Sequence, residues 1–287
     1  MNLFDLHCDT PTRAFEGLNT AVSFPSKIKK QVQTCAVFIK DDIQNPYNYY
    51  KSVLNRFKSF YPYPINDLTA EKSLILSVEG GAVLEGKSDR VWELLFDKIS
   101  MLSLVWNGET ELAGGVNSEK GITACGKRVI SEMNRAGMIL DLSHLNDKSF
   151  YSAVSLADFT IASHSNSRSV CQNKRNLTDD QLELIRQKKG LVGINFYPLF
   201  LGENNPLVNA YEHIAYMLEM GLEDNISIGS DFDGAEMDNT LDNTEKTTSL
   251  YDFLKAKGIK TGILNKIFYQ NALNFFKFVF DKRDKIV

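Results

Sequence analysis

The groups in this chain best suited to chemistry are three of its four histidines and three carboxylates, each near the end of a short apolar, β-favouring run. His7 and Asp9 close the run at residues 3–7 and stand two positions apart, a spacing that turns both side chains to one face of a strand. Glu79 ends the run at 73–79, His144 the run at 138–144, His164 the run at 159–164 and Asp231 the run at 226–231. A single His-x-Asp is a weak signal, because most buried histidines only satisfy a hydrogen bond. Six such groups gathered at one place are harder to explain without metal, since burying several carboxylates unpaired is unfavourable. Mixed imidazole and carboxylate donors suit zinc, and six of them exceed what one ion needs. The expectation is two zinc ions bridged by a carboxylate. Ions about 3.5–4 Å apart hold a water whose pKa falls toward roughly 7, which supplies a hydroxide nucleophile. Asp231 is then placed to carry the proton from that water to a leaving amine. The fourth histidine, His213, lies in a helical pattern and reads as structural.

These groups need elements that bring them to one mouth. Further β-favouring runs at 33–39, 99–106 and 191–196 bring the number of such runs to eight. Helical patterns lie between most of them, at 47–60, 127–136, 207–220 and 263–279. Another follows Thr178, whose hydroxyl can cap a helix while Gln181 reaches back to complete a capping box. Strands alternating with helices mean a parallel sheet. Spread over eight units, 287 residues give about 36 each, which fits a single (β/α)8 TIM-type barrel, residues 1–287, as one domain. A doubly wound open sheet is the rival, but no Gly-x-Gly-x-x-Gly follows the first strand and no phosphate-loop motif occurs. Catalytic groups of such barrels gather at the carboxyl ends of the strands, where all six candidates fall. The strand faces agree: Glu79 shares a face with Ser77 and Ile75, and Asp231 with Gly229 and Ser227, the small residues leaving room beneath each carboxylate. Two loops are expected over the mouth or beside it, 108–121 and 233–248.

Composition narrows the partners. The chain has 32 Lys plus Arg against 36 Asp plus Glu, a net charge of −4, with 43% hydrophobic and 24% charged residues. That is the usage of an ordinary globular protein, and it excludes a disordered or collagenous chain. There is no basic footprint for nucleic acid. No 18-residue uncharged apolar segment occurs, so no membrane span is expected, and the first residues lack the basic and apolar regions of a signal peptide. Cys8, Cys35, Cys125 and Cys171 have no Cys-x-x-Cys spacing and read as free thiols of a cytoplasmic protein. A homodimer is the base-rate expectation for a soluble enzyme.

Taken together, several motifs resemble the membrane dipeptidase (renal dipeptidase) family, peptidase family M19, among the amidohydrolase-like metal-dependent barrels. They are Asp5-Leu6-His7-Cys8-Asp9-Thr10, Val78-Glu79-Gly80-Gly81, Asp141-Leu142-Ser143-His144, Ser163-His164-Ser165-Asn166-Ser167, Lys174-Arg175-Asn176-Leu177 and Gly229-Ser230-Asp231-Phe232-Asp233-Gly234. The resemblance implies that Glu79 bridges two zinc ions, with His7 and Asp9 on one and His144 and His164 on the other. It implies further that Asp231 contacts substrate and that Arg175 binds the terminal carboxylate of a dipeptide, a task its planar fork suits. Tolerance of a D-configured C-terminal residue is likewise implied. One position departs from the family: mammalian-type members carry a histidine at the end of strand four, and this chain has Trp106 followed by Asn107. Indole can neither accept a proton nor act as an acid. Either Asn107 supplies a hydrogen bond to substrate, or the metals suffice, or the substrate differs. The expected activity is a zinc-dependent dipeptidase. An amidohydrolase acting on another N-acyl amino acid or a lactam is the alternative, followed by a non-catalytic metal-binding barrel.

Overall fold

Eight parallel strands close on themselves in chain order in the computed structural model, which describes residues 1–285. The last two residues of the expected domain, 286 and 287, lie outside the described residues. The strands are β1 (Leu3–Asp5), β2 (Gln31–Phe38), β3 (Lys72–Glu79), β4 (Ile99–Ser103), β5 (Ile139–Asp141), β6 (Thr160–Ala162), β7 (Leu191–Ile194) and β8 (Ile226–Ile228), with β1 pairing β8 through Asp5 and Ile228. Helices α1 (Thr10–Phe15), α2 (Pro46–Phe60), α3 (Arg90–Phe96), α4 (Ala124–Arg135), α5 (Asp147–Leu156), α6 (Asp179–Gln187), α7 (Pro198–Leu201), α8 (Pro206–Glu219), α9 (Thr247–Ala256), α10 (Thr261–Asn265) and α11 (Asn271–Arg283) fill the connections. This is the (β/α)8 barrel that the alternation of runs predicts.

Two apolar clusters follow from strand alternation. Leu74, Leu76 and Val78 of β3 and Ile226 and Ile228 of β8 belong to the larger one, between strands and helices. Phe4, Val32, Ile75, Met101, Ile139, Ile161 and Leu191 turn the other way and pack against Ala272, Phe276 and Val279 of α11. The last helix therefore seals the inner core, and the opposite end of the barrel is left to polar groups.

Local signals explain the helix starts. Thr178 accepts from the Gln181 N–H at 3.3 Å while its own N–H donates to Gln181 Oε1 at 2.9 Å, the expected capping box. Thr123 caps α4, which begins three residues before the expected start, and Pro46 opens α2. The pattern read as one helix at 263–279 is instead α10, a π-helical turn at Lys266–Gln270, and α11. The short helices α1, α3 and α7 carry too few turns to show a period in the sequence.

Candidate metal centre

Glu79 is the hub at the polar end of the barrel. Its Oε2 lies 2.9 Å from His7 Nε2 and 3.7 Å from His164 Nε2, and its Oε1 lies 3.4 Å from His144 Nε2. Asp9 Oδ1 and Asp231 Oδ1 approach His7 Nε2 at 3.6 Å and 3.9 Å. All six side chains are buried, and they converge from β1, β3, β5, β6 and β8 as the spacing predicts.

The backbone that delivers them differs from the expectation. Only Glu79 ends a strand; His7 and His164 stand two residues past β1 and β6, and His144 and Asp231 three past β5 and β8. His144 and Asp231 have φ of 71° and 65°, a left-handed conformation uncommon for residues with a side chain. The ladder resumes only as an isolated bridge between Cys8 and Phe232. His7 and Asp9 flank that bridge beyond the end of β1, on the side opposite Cys8, and meet at 3.6 Å. Gly229 does not leave room under Asp231: a Cβ there would lie 1.8 Å from the Ser163 carbonyl oxygen and 2.9 Å from Gly193 Cα. That glycine permits the chain leaving β8 to approach both β7 and the chain leaving β6. Gly234 does the same above the site, where a Cβ would meet Asp9 Oδ2 at 2.3 Å and Asp231 Oδ1 at 2.6 Å.

Hydrogen bonds assign the imidazole tautomers. His144 Nδ1 lies 3.0 Å from Asn107 Oδ1, an acceptor, so Nδ1 carries the hydrogen. His164 Nδ1 lies 2.7 Å from Ser163 Oγ, whose own proton goes to Asp141 Oδ2, so that nitrogen also donates. Both Nε2 lone pairs then face the centre. Burial, with Arg175 and His7 nearby, holds the pKa of His144 well below the usual value, and burial with His7 and His144 does the same for His164. On His7 burial opposes charge, but Glu79 and Asp9 outweigh it and raise its pKa. Burial lifts Glu79 to about 7, with Asp9 adding to the rise, and lifts Asp231 to about 6.

His7 Nε2, Asp9 Oδ1 and Glu79 Oε2 are buried with no well-formed hydrogen bond and only one another within reach. His7, Glu79 and His164, and separately His7, Asp9 and Asp231, bring donor atoms within 4.8 Å of one another. Unpartnered buried donors of mixed nitrogen and oxygen type fit divalent metal, for which they would be ligands instead of isolated polar atoms.

Arg175 is 7% exposed, and its Nε and Nη2 have no partner. Its guanidinium lies over the Phe200 ring at 5.2 Å, within the attraction of Asp231 and Glu79. Arg168, another cation of the same region, is engaged by Asp147 at 2.8 Å through both Nη atoms. The open space in front of these side chains is a cavity of about 270 Å³ lined by Asp9, Glu79, His144 and Asp231 together with Phe38, Trp106, Asn107, Tyr197 and Phe200. That is near the lower end of ligand pockets, about 300–1,000 Å³, and suits a small substrate.

Sequence reasoning overlooked Asn195, one residue past β7, whose Nδ2 donates to Asp231 Oδ2 at 3.0 Å while its Oδ1 accepts from the Tyr197 N–H at 2.7 Å. It also overlooked Asp141 and Ser163. A polar residue in an apolar run was the only available signal for each. His213 is structural, as expected: its Nδ1 accepts from the Ser167 N–H at 3.2 Å and its Nε2 donates to the Leu201 carbonyl at 3.0 Å.

Comparison with known proteins points the same way. A family model described as membrane dipeptidase (peptidase family M19) matches residues 61–286. An uncharacterized protein in the pqqA 5′ region of Klebsiella pneumoniae is 30% identical over 225 residues, covering 73% of this chain and 83% of that protein. An uncharacterized dipeptidase, C3A11.10c, of Schizosaccharomyces pombe is 33% identical over 172 residues, 57% of this chain and 41% of its own length. Among solved structures, a metallo peptidase from Rhodobacter sphaeroides liganded with a phosphinate mimic of L-Ala-D-Ala superposes with a TM-score of 0.87 at 21% identity, over 96% of this chain and 99% of that one. At that identity the likeness shows a shared fold.

Proposed function

Because the chain belongs to peptidase family M19, the membrane dipeptidase family, we propose that this metallopeptidase hydrolyses the amide bond of dipeptides with two zinc ions held in the Glu79 centre. The observation that carries the proposal is one small cavity lined by the metal-type donors of Asp9, Glu79, His144 and Asp231, with the buried Arg175 stacked on Phe200 of its wall. His7 and Asp9 would hold one ion, His144 and His164 the other, and Glu79 both. Bound there, the ions would supply a water deprotonated near neutral pH and polarise the scissile carbonyl.

The chain's own groups account for the rest. Arg175, already desolvated and unpaired, meets the C-terminal carboxylate in a two-pronged contact and fixes the register of the substrate. Asp231, held through Oδ2 by Asn195, turns Oδ1 toward the centre and carries a proton to the leaving amine. Asn107 commits its Oδ1 to His144, which leaves its amide hydrogens for the substrate carbonyl. The relative solved with the L-Ala-D-Ala mimic supports including substrates with a D-configured C-terminal residue.

We take the unit to be one catalytic domain acting in the reducing cytoplasm, in keeping with four free cysteines. No helix among the described residues is long and apolar enough to cross a membrane. A second reading, an amidohydrolase of other N-acyl amino acids or a lactam, rests on Trp106, which lines the cavity and can act as neither acid nor base.

The test is a zinc-loaded preparation assayed against L,L and L,D dipeptides beside N-acyl amino acids. Dipeptide cleavage that outpaces the N-acyl series supports the first reading. Two bound ions with no dipeptide cleaved overturns it.

A further inference from the structure

We infer that Ser163 is a positioning residue that fixes histidines of both proposed zinc sites through one hydroxyl, itself locked by Asp141. The inference rests on the two-ion reading above.

Ser163 Oγ has one proton and two lone pairs. The proton is donated to Asp141 Oδ2. Asp141 is 2% exposed and cannot swing away, since its Oδ1 receives the backbone N–H groups of Ser143 and Ser163, both at 3.0 Å. With the hydroxyl direction fixed, its lone pairs meet His164 Nδ1 at 2.7 Å and, more loosely, His7 Nδ1 at 3.5 Å, with Ser143 Oγ also at 3.5 Å. The two rings lie 3.8 Å apart, inclined by 34°. His164 is thereby held with hydrogen on Nδ1 and its Nε2 lone pair toward the centre, and the same hydroxyl braces the His7 ring with Nε2 toward Glu79. Partners of this kind orient metal-ligating histidines, and their loss typically costs about 10- to 100-fold in metal affinity.

The distinguishing feature is sharing. His164 follows β6 and His7 follows β1, and the proposal assigns them to different ions. Asn107, in contrast, bonds His144 alone. Loss of the Ser163 hydroxyl must therefore loosen both ions together, whereas loss of Asn107 loosens one.

The experiment strips the full-length protein with a chelator and titrates zinc back in competition with a chromophoric chelator, so that stoichiometry and both affinities are read without turnover. Wild type, Ser163→Ala, Asp141→Asn and Asn107→Ala are compared, with circular dichroism melts of the metal-free forms. Expected is a weakening of both ions by about 10- to 100-fold in Ser163→Ala, and a joint weakening in Asp141→Asn, which keeps the side-chain volume. Asn107→Ala should weaken one ion only. Unchanged affinities in a folded Ser163→Ala, or loss confined to one ion, overturns the inference while leaving the two-ion reading standing. If Ser163→Ala does not fold, Asp141→Asn decides by the same criterion. Wild type that binds fewer than two ions overturns the two-ion reading, and the inference with it.

Discussion

His144 Nε2 faces His164 Nε2 across 2.8 Å, with both opposite nitrogens already bound to other partners. Two neutral lone pairs at that distance repel unless a cation or a shared proton lies between them. Burial and the neighbouring Arg175 work against a proton on either ring. A metal ion would satisfy both, and Glu79 stands at 3.4 Å from one and 3.7 Å from the other.

Glu79→Ala removes the carboxylate common to all three histidines. Metal analysis of the purified variant should find fewer than two ions per chain, and turnover should fall by about 10³-fold or more, a loss of roughly 4 kcal/mol in transition-state stabilisation. Unchanged zinc content contradicts a bridging role.

Arg175→Met removes the only cation proposed to meet the substrate carboxylate. A charged hydrogen-bonded contact contributes about 1.5–3 kcal/mol, so kcat/KM for a free dipeptide should drop by roughly 10- to 150-fold. The C-terminally amidated analogue is the control. It should be cleaved slowly by wild type and scarcely worse by the variant, and an equal loss on both substrates argues against carboxylate recognition.

Trp106 meets Phe38 edge to face at 5.0 Å, and both line the cavity. Trp106→Ala should raise KM for dipeptides with bulky apolar side chains by about tenfold, roughly 1.4 kcal/mol of lost apolar contact, with little effect on glycylglycine. A drop in kcat that is equal for both substrates would instead place the indole in the chemistry.

His213 carries a pH dependence of stability. Burial depresses its pKa to about 4 from the usual 6.5. The folded protein thus refuses a proton that the unfolded chain accepts, so the contribution of His213 is complete above pH 6.5 and fades as pH falls toward 4. The difference of about 2.5 units, at 1.36 kcal/mol each, makes the loss up to about 3 kcal/mol. Urea unfolding of wild type and His213→Gln at pH 7 and pH 4 checks this: the advantage of wild type should shrink by that amount, and a constant difference refutes it.

Gly229→Ala tests the close strand approach. With its Cβ 1.8 Å from the Ser163 carbonyl oxygen, backbone must move, and a loss of at least about 3 kcal/mol in unfolding free energy is expected. A thermal melt unchanged from wild type would show that β6 and β8 can part without penalty.

The amino-acid order alone determined the barrel and the six convergent groups, because both rest on alternation. Apolar runs separated by helical patterns require a parallel sheet, and polar residues where those runs stop fall at one rim whatever the details of packing. Glu79 is the clearest case: it ends β3 in sequence and in structure. Tertiary structure decided what lies within hydrogen-bond reach of those groups. Asn195 on Asp231, Asn107 on His144, Asp141 on Ser163 and Ser163 on His7 join residues 22 to 156 positions apart, at a barrel rim where His144 and Asp231 have positive φ that no periodicity encodes. Gly229 shows the same limit, since its lack of a side chain reads as open space in the sequence while the fold uses it to bring two strands together. Periodicity reports which way a side chain faces, and only the folded chain determines which atom it meets.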